Sequence, residues 1–190
     1  MSNFEFTFIS VMFGVIMGMG VVYILIAIAK IIRGFGSEIK TYWLHTAWVF
    51  FLLLLHFHVW WGLWDFQNIT EWNYFTYLFL LTGPILLFIS AALIIPEDRN
   101  TSQINLKEYY YKNNYNFFII LSLSVIWGML LYPIFFDKMD PVFEWLVIFL
   151  LTTISLIFIN KPKFQIILSI LAWILFLSWV ISYGFLIVAE

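Results

Sequence analysis

Residues 43–64 read WLHTAWVFFLLLLHFHVWWGLW, 22 positions without an Asp, Glu, Lys or Arg and with tryptophan at both ends. A helix needs roughly 20 mostly apolar residues to cross the hydrocarbon of a bilayer, and tryptophan favours the hydrocarbon–water boundary. Working outward, five more stretches meet that length, at about 6–31, 72–95, 115–135, 141–160 and 164–188. The sequence therefore predicts an all-α polytopic membrane bundle of six transmembrane helices. The segments between them are too short for a second folded unit, so residues 1–190 form one transmembrane domain.

Composition leads to the same class. Hydrophobic residues make up 64% of the 190 and charged residues only 11%, against about a quarter charged in soluble domains, so the bilayer is the expected partner of most of this surface. Cysteine is absent, which excludes disulfides, thiolate metal sites and a cysteine nucleophile. A net charge of -2 offers no overall basic field for nucleic acid.

The connections are punctuated as helix ends. Gly34 and Gly36 close the first helix, and Pro96 with Glu97 and Asp98 closes the third. Asp140 followed by Pro141 starts the fifth. Asn105 with Glu108 reads as a capping box opening a short interfacial helix, Leu106 to Asn114, ahead of the fourth span.

Six spans put both termini on one side, and charge says which. Lys30, Arg33, Lys40, Arg99, Lys107, Lys112, Lys161 and Lys163 fall at the first, third and fifth connections, with Lys138 alone opposite. By the positive-inside rule those connections are cytoplasmic and both termini external or periplasmic, in a bacterial inner membrane. The first apolar run has no basic flank before it and no A-x-A site after it, so a cleaved signal peptide is not expected.

Ionisable groups inside spans are costly and mark function. No Asp, Glu, Lys or Arg lies near the middle of a span, and the exceptions are His45, His56 and His58, all on the second helix. At 100° per residue, His45 and His56 share a face with Trp48, Val49, Leu52 and Trp60, and His58 points away. No two histidines have the i, i+4 spacing of a helical zinc site, so no metal is expected. His45 and His56 are candidate pore or gating groups, with a pH response near the ordinary histidine pKa of about 6.5. Thr82, Gly83 and Pro84 are candidates for a moving element, because proline breaks the helical hydrogen-bond ladder at the Leu80 carbonyl. Gly14 with Gly18, Ser124 with Gly128, and Ser178 with Ser182 have the small-x-x-x-small spacing of helix-packing interfaces. Trp60, Trp61 and Trp64 form an aromatic belt with Trp72.

Tyr42, Trp43, His45 and Trp48 leading to Trp60, Trp61 and Trp64, then Gly83-Pro84-Ile85-Leu86, Ala91-Ala92-Leu93 and Pro96, resemble an uncharacterised group of short bacterial six-helix integral membrane proteins. The likeness covers roughly residues 40–97. It implies a Trp-rich second helix and a kinked third helix, favours His45 over His56 and His58, and brings no activity with it.

Three functions are compatible with these features. The first is a small oligomeric channel or transport protein, gated from the cytoplasmic side by a cytosolic regulatory partner, with Ser122, Ser124, Thr152, Thr153 and Ser155 available to line a path. The second is a haem- or quinone-binding subunit using His45 and His56, in which haem would need a second copy or a Met as the other ligand. The third is a non-catalytic scaffold or assembly factor. No triad, acidic pair or phosphate loop is present, so an enzyme is not expected and no cofactor is required.

Overall fold

The computed structural model describes residues 4–35, 39–69, 71–96, 103–139 and 142–183. Six helices follow one another: α1 Phe4–Arg33, α2 Trp43–Gly62, α3 Tyr74–Ile94, α4 Leu106–Phe136, α5 Phe143–Phe158 and α6 Pro162–Tyr183. The architecture is all-α, as expected. Five helices are long and apolar enough to cross a membrane, α2 being extended by a 3-10 turn over Leu63–Phe66. The expected features at Gly36, Glu97, Asp98, Arg99 and Asp140–Pro141 lie outside the described residues, as does the end of the sixth expected span.

Two expected boundaries are corrected. α5 has 16 residues rather than the 20 of range 141–160, about 24 Å at 1.5 Å per residue. Pro162 opens α6 and disfavours helical backbone at Lys161 before it, so α5 does not run on into α6. The short interfacial helix 106–114 is not a separate element, because it forms the first turns of a continuous 31-residue α4. No Gly or Pro interrupts residues 106–127, and the buried seam of Leu106, Tyr110, Asn114, Phe117, Leu121 and Ser124 keeps helical spacing throughout.

Capping is also redistributed. Asn105 caps α4 with its side-chain oxygen, accepting from the Lys107 and Glu108 amides at 3.1 and 3.5 Å. The reciprocal capping box belongs instead to α3, where Asn73 accepts from Phe75 and Thr76 and the Thr76 hydroxyl accepts from the Asn73 amide. Gly34 follows α1, with its amide donating to the Lys30 carbonyl at 2.9 Å.

α2 is the central rod. It packs on α1, α3, α4 and α6, while α1–α3, α3–α4, α4–α5 and α5–α6 form an arc around it. Its open side presents Phe50, Leu54, Phe57 and Trp61 at helical spacing. Phe51 turns inward, stacked on Phe149 of α5 at 5.8 Å and meeting Trp173 and Phe176 of α6 at 5.3 and 4.9 Å. Trp48 meets Phe117 and Phe118 of α4 at 5.7 and 5.0 Å. Helix ends alternate. The start of α2, the end of α3, the start of α4, the end of α5 and the start of α6 gather at one pole, which carries most of the lysines and is the basic end. A two-residue parallel pairing of Ile39–Lys40 (β1) with Ile104–Asn105 (β2) ties two connections together there. The opposite pole, carrying Asp65, Glu71 and Glu144, is the acidic end.

Candidate functional site

The polar side chains that join different helices concentrate at the basic end. Tyr110 of α4 donates to the Gln165 carbonyl oxygen of α6 at 2.7 Å, and the Gln165 amide donates to the Leu156 and Ile159 carbonyls that end α5, at 2.9 and 2.7 Å. Asn114 donates to Asn160 at 3.0 Å, and the Trp48 indole donates to the Ser169 hydroxyl at 3.0 Å. The Tyr42 and Tyr111 hydroxyls meet at 3.1 Å. Burial, and then the Tyr111 contact, push the Tyr42 phenol above its ordinary range. Tyr110, Gln165, Asn114 and Ser169 are all at most 2% exposed. The result is a hydrogen-bonded collar tying α2, α4, α5 and α6.

His45 extends this collar to α3. Its Nε2 donates to the Ile94 carbonyl at 2.8 Å, and Tyr109 directs its hydroxyl at the Leu93 and Ile95 carbonyls at 3.1 and 3.0 Å. Side chains from α2 and α4 thus serve three successive carbonyls at the end of α3, where the ladder runs out of donors. Carbonyl acceptance fixes the proton on Nε2, leaving His45 Nδ1 buried with no hydrogen-bond partner among the described residues.

His56 lies 11 residues further along α2, about 16 Å away, so the two histidines share a face and not a site. His56 Nδ1 donates to the Leu52 carbonyl of its own helix at 2.7 Å. Its Nε2, without a hydrogen-bond partner among the described residues, lies against Gly20 of α1, where a Cβ would collide with the ring. Trp60, expected on the same face, is 46% exposed while both histidines are sealed. His58 is half-buried beside Trp179, with ring centroids 4.1 Å apart. Trp60, Trp61 and Trp64 are exposed at the acidic end, as a belt requires.

The Thr82-Gly83-Pro84 segment lies in an unbroken α3. Gly83 is where the Trp127 indole of α4 lies on α3. A side chain there would strike the ring, and Trp127 Nε1 donates to the Phe79 carbonyl at 2.8 Å. Thr82 is exposed and bonded to Leu78 of its own helix. Of the small-residue pairs, Gly14 faces Trp60 at 3.6 Å from the position of a Cβ, while Gly18 and Gly128 have open space there. Ser178 donates to Leu175 and Ser182 is exposed. Among the described residues, the glycines in tight intramolecular contact are Gly20 and Gly83, each against a ring of another helix, and Gly34, against Ile39.

The proposed path hydroxyls are engaged locally. Ser122 donates to Thr153 across α4 and α5, and Ser124, Thr152, Thr153 and Ser155 each donate to a carbonyl of their own helix. Between the collar and the acidic end lies instead an apolar cavity of about 80 Å³. Leu55 and Val59, Ser124 and Gly128, Trp145 and Phe149, and Leu175 and Trp179 each wall it as pairs one turn apart on their helix. Leu87 and Ser124, at its deep end, are buried, whereas Val59, Trp145 and Trp179 are half-buried.

Among the described residues, no three His, Asp or Glu side chains lie together so as to hold a metal. The chain matches no protein-family model, no curated protein and no solved structure. Tyr110, Gln165, Asn114 and Ser169 were not singled out from the sequence. The signal available was a polar side chain recurring on the apolar seams of α4 and α6.

Proposed function

We propose that the chain is a bacterial inner-membrane protein that crosses six times with both termini external, and that it works as a small transport protein for hydrophobic or amphipathic molecules. The carrying observation is an apolar cavity whose half-buried lining lies toward the acidic end, and which is separated from the basic end by the buried rings of Trp48, Phe51, Phe117 and Phe118 and by the hydrogen-bonded collar beyond them. In the proposed orientation this is a site facing outward and closed toward the cytoplasm. Alternating exposure needs such a one-sided closure. α5 counts as the sixth span in this reading, because Trp145 near its start lines the cavity and Asn160 just beyond its end meets Asn114 at the basic pole.

An aqueous channel through one copy draws less support. Its centre is filled by Trp48, Phe51, Phe117 and Phe118, and the hydroxyls are already bonded. Copies associating through α1 would use the face of Gly18, which is open within the chain. Haem ligation draws little, since His45 Nε2 is committed to Ile94 and His56 Nε2 is closed off by Gly20.

The test is flux of a fluorescent lipid analogue across vesicles holding the purified protein. Transfer above empty vesicles is expected, faster when Tyr110→Phe loosens the collar. Transfer equal to empty vesicles for both proteins would reject the reading. Single cysteines at Lys107 and Lys138, introduced into a chain that has none, report orientation: only the second should react with an impermeant maleimide added outside cells.

A further inference from the structure

We infer that the cavity between α2, α4, α5 and α6 holds one acyl tail of a membrane lipid. The inference deepens the transport reading by naming the class of molecule, but it depends only on the cavity.

The lining decides the chemistry. Its walls are aliphatic and aromatic apart from Ser124, and the Ser124 hydroxyl has its proton on the Leu121 carbonyl at 2.7 Å. A buried water needs two to four polar partners, and these walls do not offer them. An empty cavity forfeits dispersion contacts along its whole lining. For a helix bundle in a bilayer, the medium that fills such a gap is hydrocarbon.

Size and direction select a single tail. A volume of about 80 Å³ has room for roughly five to eight water-sized groups, and a methylene is close to water in size. That suits the terminal run of one chain and is too small for a fused ring system. The deep end, at Leu87 and Ser124, lies about three turns in from the acidic ends of α3 and α4. The half-buried residues Val59 and Trp145 are within about a turn of the acidic ends of α2 and α5. A tail entering there lies along the helices, with its tip toward the bilayer centre and its polar head among the belt tryptophans. His58, edge-on to Trp179, stands beside that mouth. Opposite Gly128 the cavity keeps open space where a side chain would sit.

The test uses the full chain in vesicles of phosphatidylethanolamine and phosphatidylglycerol containing a phosphatidylethanolamine with a diazirine near the end of one tail. A second arm uses the corresponding diazirine fatty acid. After illumination, adducts are mapped by mass spectrometry. Adducts concentrated on the peptides holding Trp145–Phe149 and Leu175–Trp179, above those on the exposed face of α1, are expected, and the arm that labels identifies a phospholipid or a free fatty acid as the source. Gly128→Leu should fill the space and lower that labelling roughly tenfold, the effect of losing about ten carbon–carbon contacts, while α1 labelling is unchanged. In the wild-type chain, excess unlabelled lipid of the same headgroup should suppress the cavity adducts first, a readout independent of how the variant folds. Adducts spread evenly over every lipid-facing helix, or cavity adducts that excess lipid does not suppress, overturn the proposal. Labelling without flux would reject transport and leave the tail site standing; flux without labelling would do the reverse.

Discussion

Tyr110 and Gln165, 55 residues apart, are joined by a 2.7 Å hydrogen bond at the basic end, and both side chains are at most 1% exposed. Gln165 is the more connected partner, since its amide also serves the two carbonyls that end α5. Gln165 covers those carbonyls, and they need other donors if its amide is lost. Gln165→Leu should therefore destabilise more than Tyr110→Phe: by about 2–4 kcal/mol for groups left unsatisfied, against about 1 kcal/mol for one interhelical bond. Thermal unfolding in detergent measures both. Equal effects would mean that the Leu156 and Ile159 carbonyls find other donors.

Gly20 and Gly18 should respond differently to the same change. A methyl group at Gly20 meets the buried His56 ring, whereas at Gly18 it meets nothing within 4 Å. Gly20→Ala is expected to cost about 1–3 kcal/mol through overpacking, and Gly18→Ala to leave monomer stability almost unchanged. Combining Gly20→Ala with His56→Ala should restore part of the loss, and additivity in this double-mutant cycle would show that ring and methyl do not compete.

The fold class was legible because one physical demand, satisfying the backbone in hydrocarbon, shapes every span. Boundaries were less legible where two periodic signals merge. The Tyr-rich stretch 106–114 looks interfacial by composition, yet Tyr110 and Asn114 continue the buried seam of Phe117 and Leu121, and helical register prevails over polarity. The candidate site was harder still. His45 was visible as a polar group in an apolar run, but its acceptor, Ile94, lies 49 residues away on another helix. Gln165 carries no charge, so the cost of ionisable groups in hydrocarbon gives no signal at its position. Gly14 and Gly18 have the motif spacing, while the glycines that admit neighbouring rings, Gly20 and Gly83, have none, because close approach depends on what sits opposite.

Gly83 tests whether the glycine-proline segment of α3 moves or packs. With Trp127 lying on it and bonded to Phe79, Gly83→Ala should displace the indole, break that bond and lower stability by about 1–3 kcal/mol. Trp127→Phe removes the indole donor, and in that background the added methyl should cost less. If Gly83→Ala instead keeps full stability while abolishing flux, the segment is a hinge and the indole contact is incidental.

The clamp on the end of α3 makes the sharpest separation between a fixed and a movable collar. His45 and Tyr109 come from different helices and serve adjacent carbonyls, Ile94 for the first and Leu93 with Ile95 for the second. Their rings stand edge to face at 6.2 Å, so each also positions the other. His45→Phe or Tyr109→Phe alone should speed hydrogen exchange in the peptide covering Ala91–Ile95 by roughly tenfold, corresponding to about 1.4 kcal/mol, and leave exchange at the acidic end unaltered. The double variant should exceed the sum, because the remaining partner no longer holds the chain in register. His45→Gln keeps a donor and should recover part of the protection. Should the single variants leave α3 exchange unchanged, α3 is held by its packing on α1 and α4, and an opening of the collar would have to begin at Tyr110 and Gln165 instead.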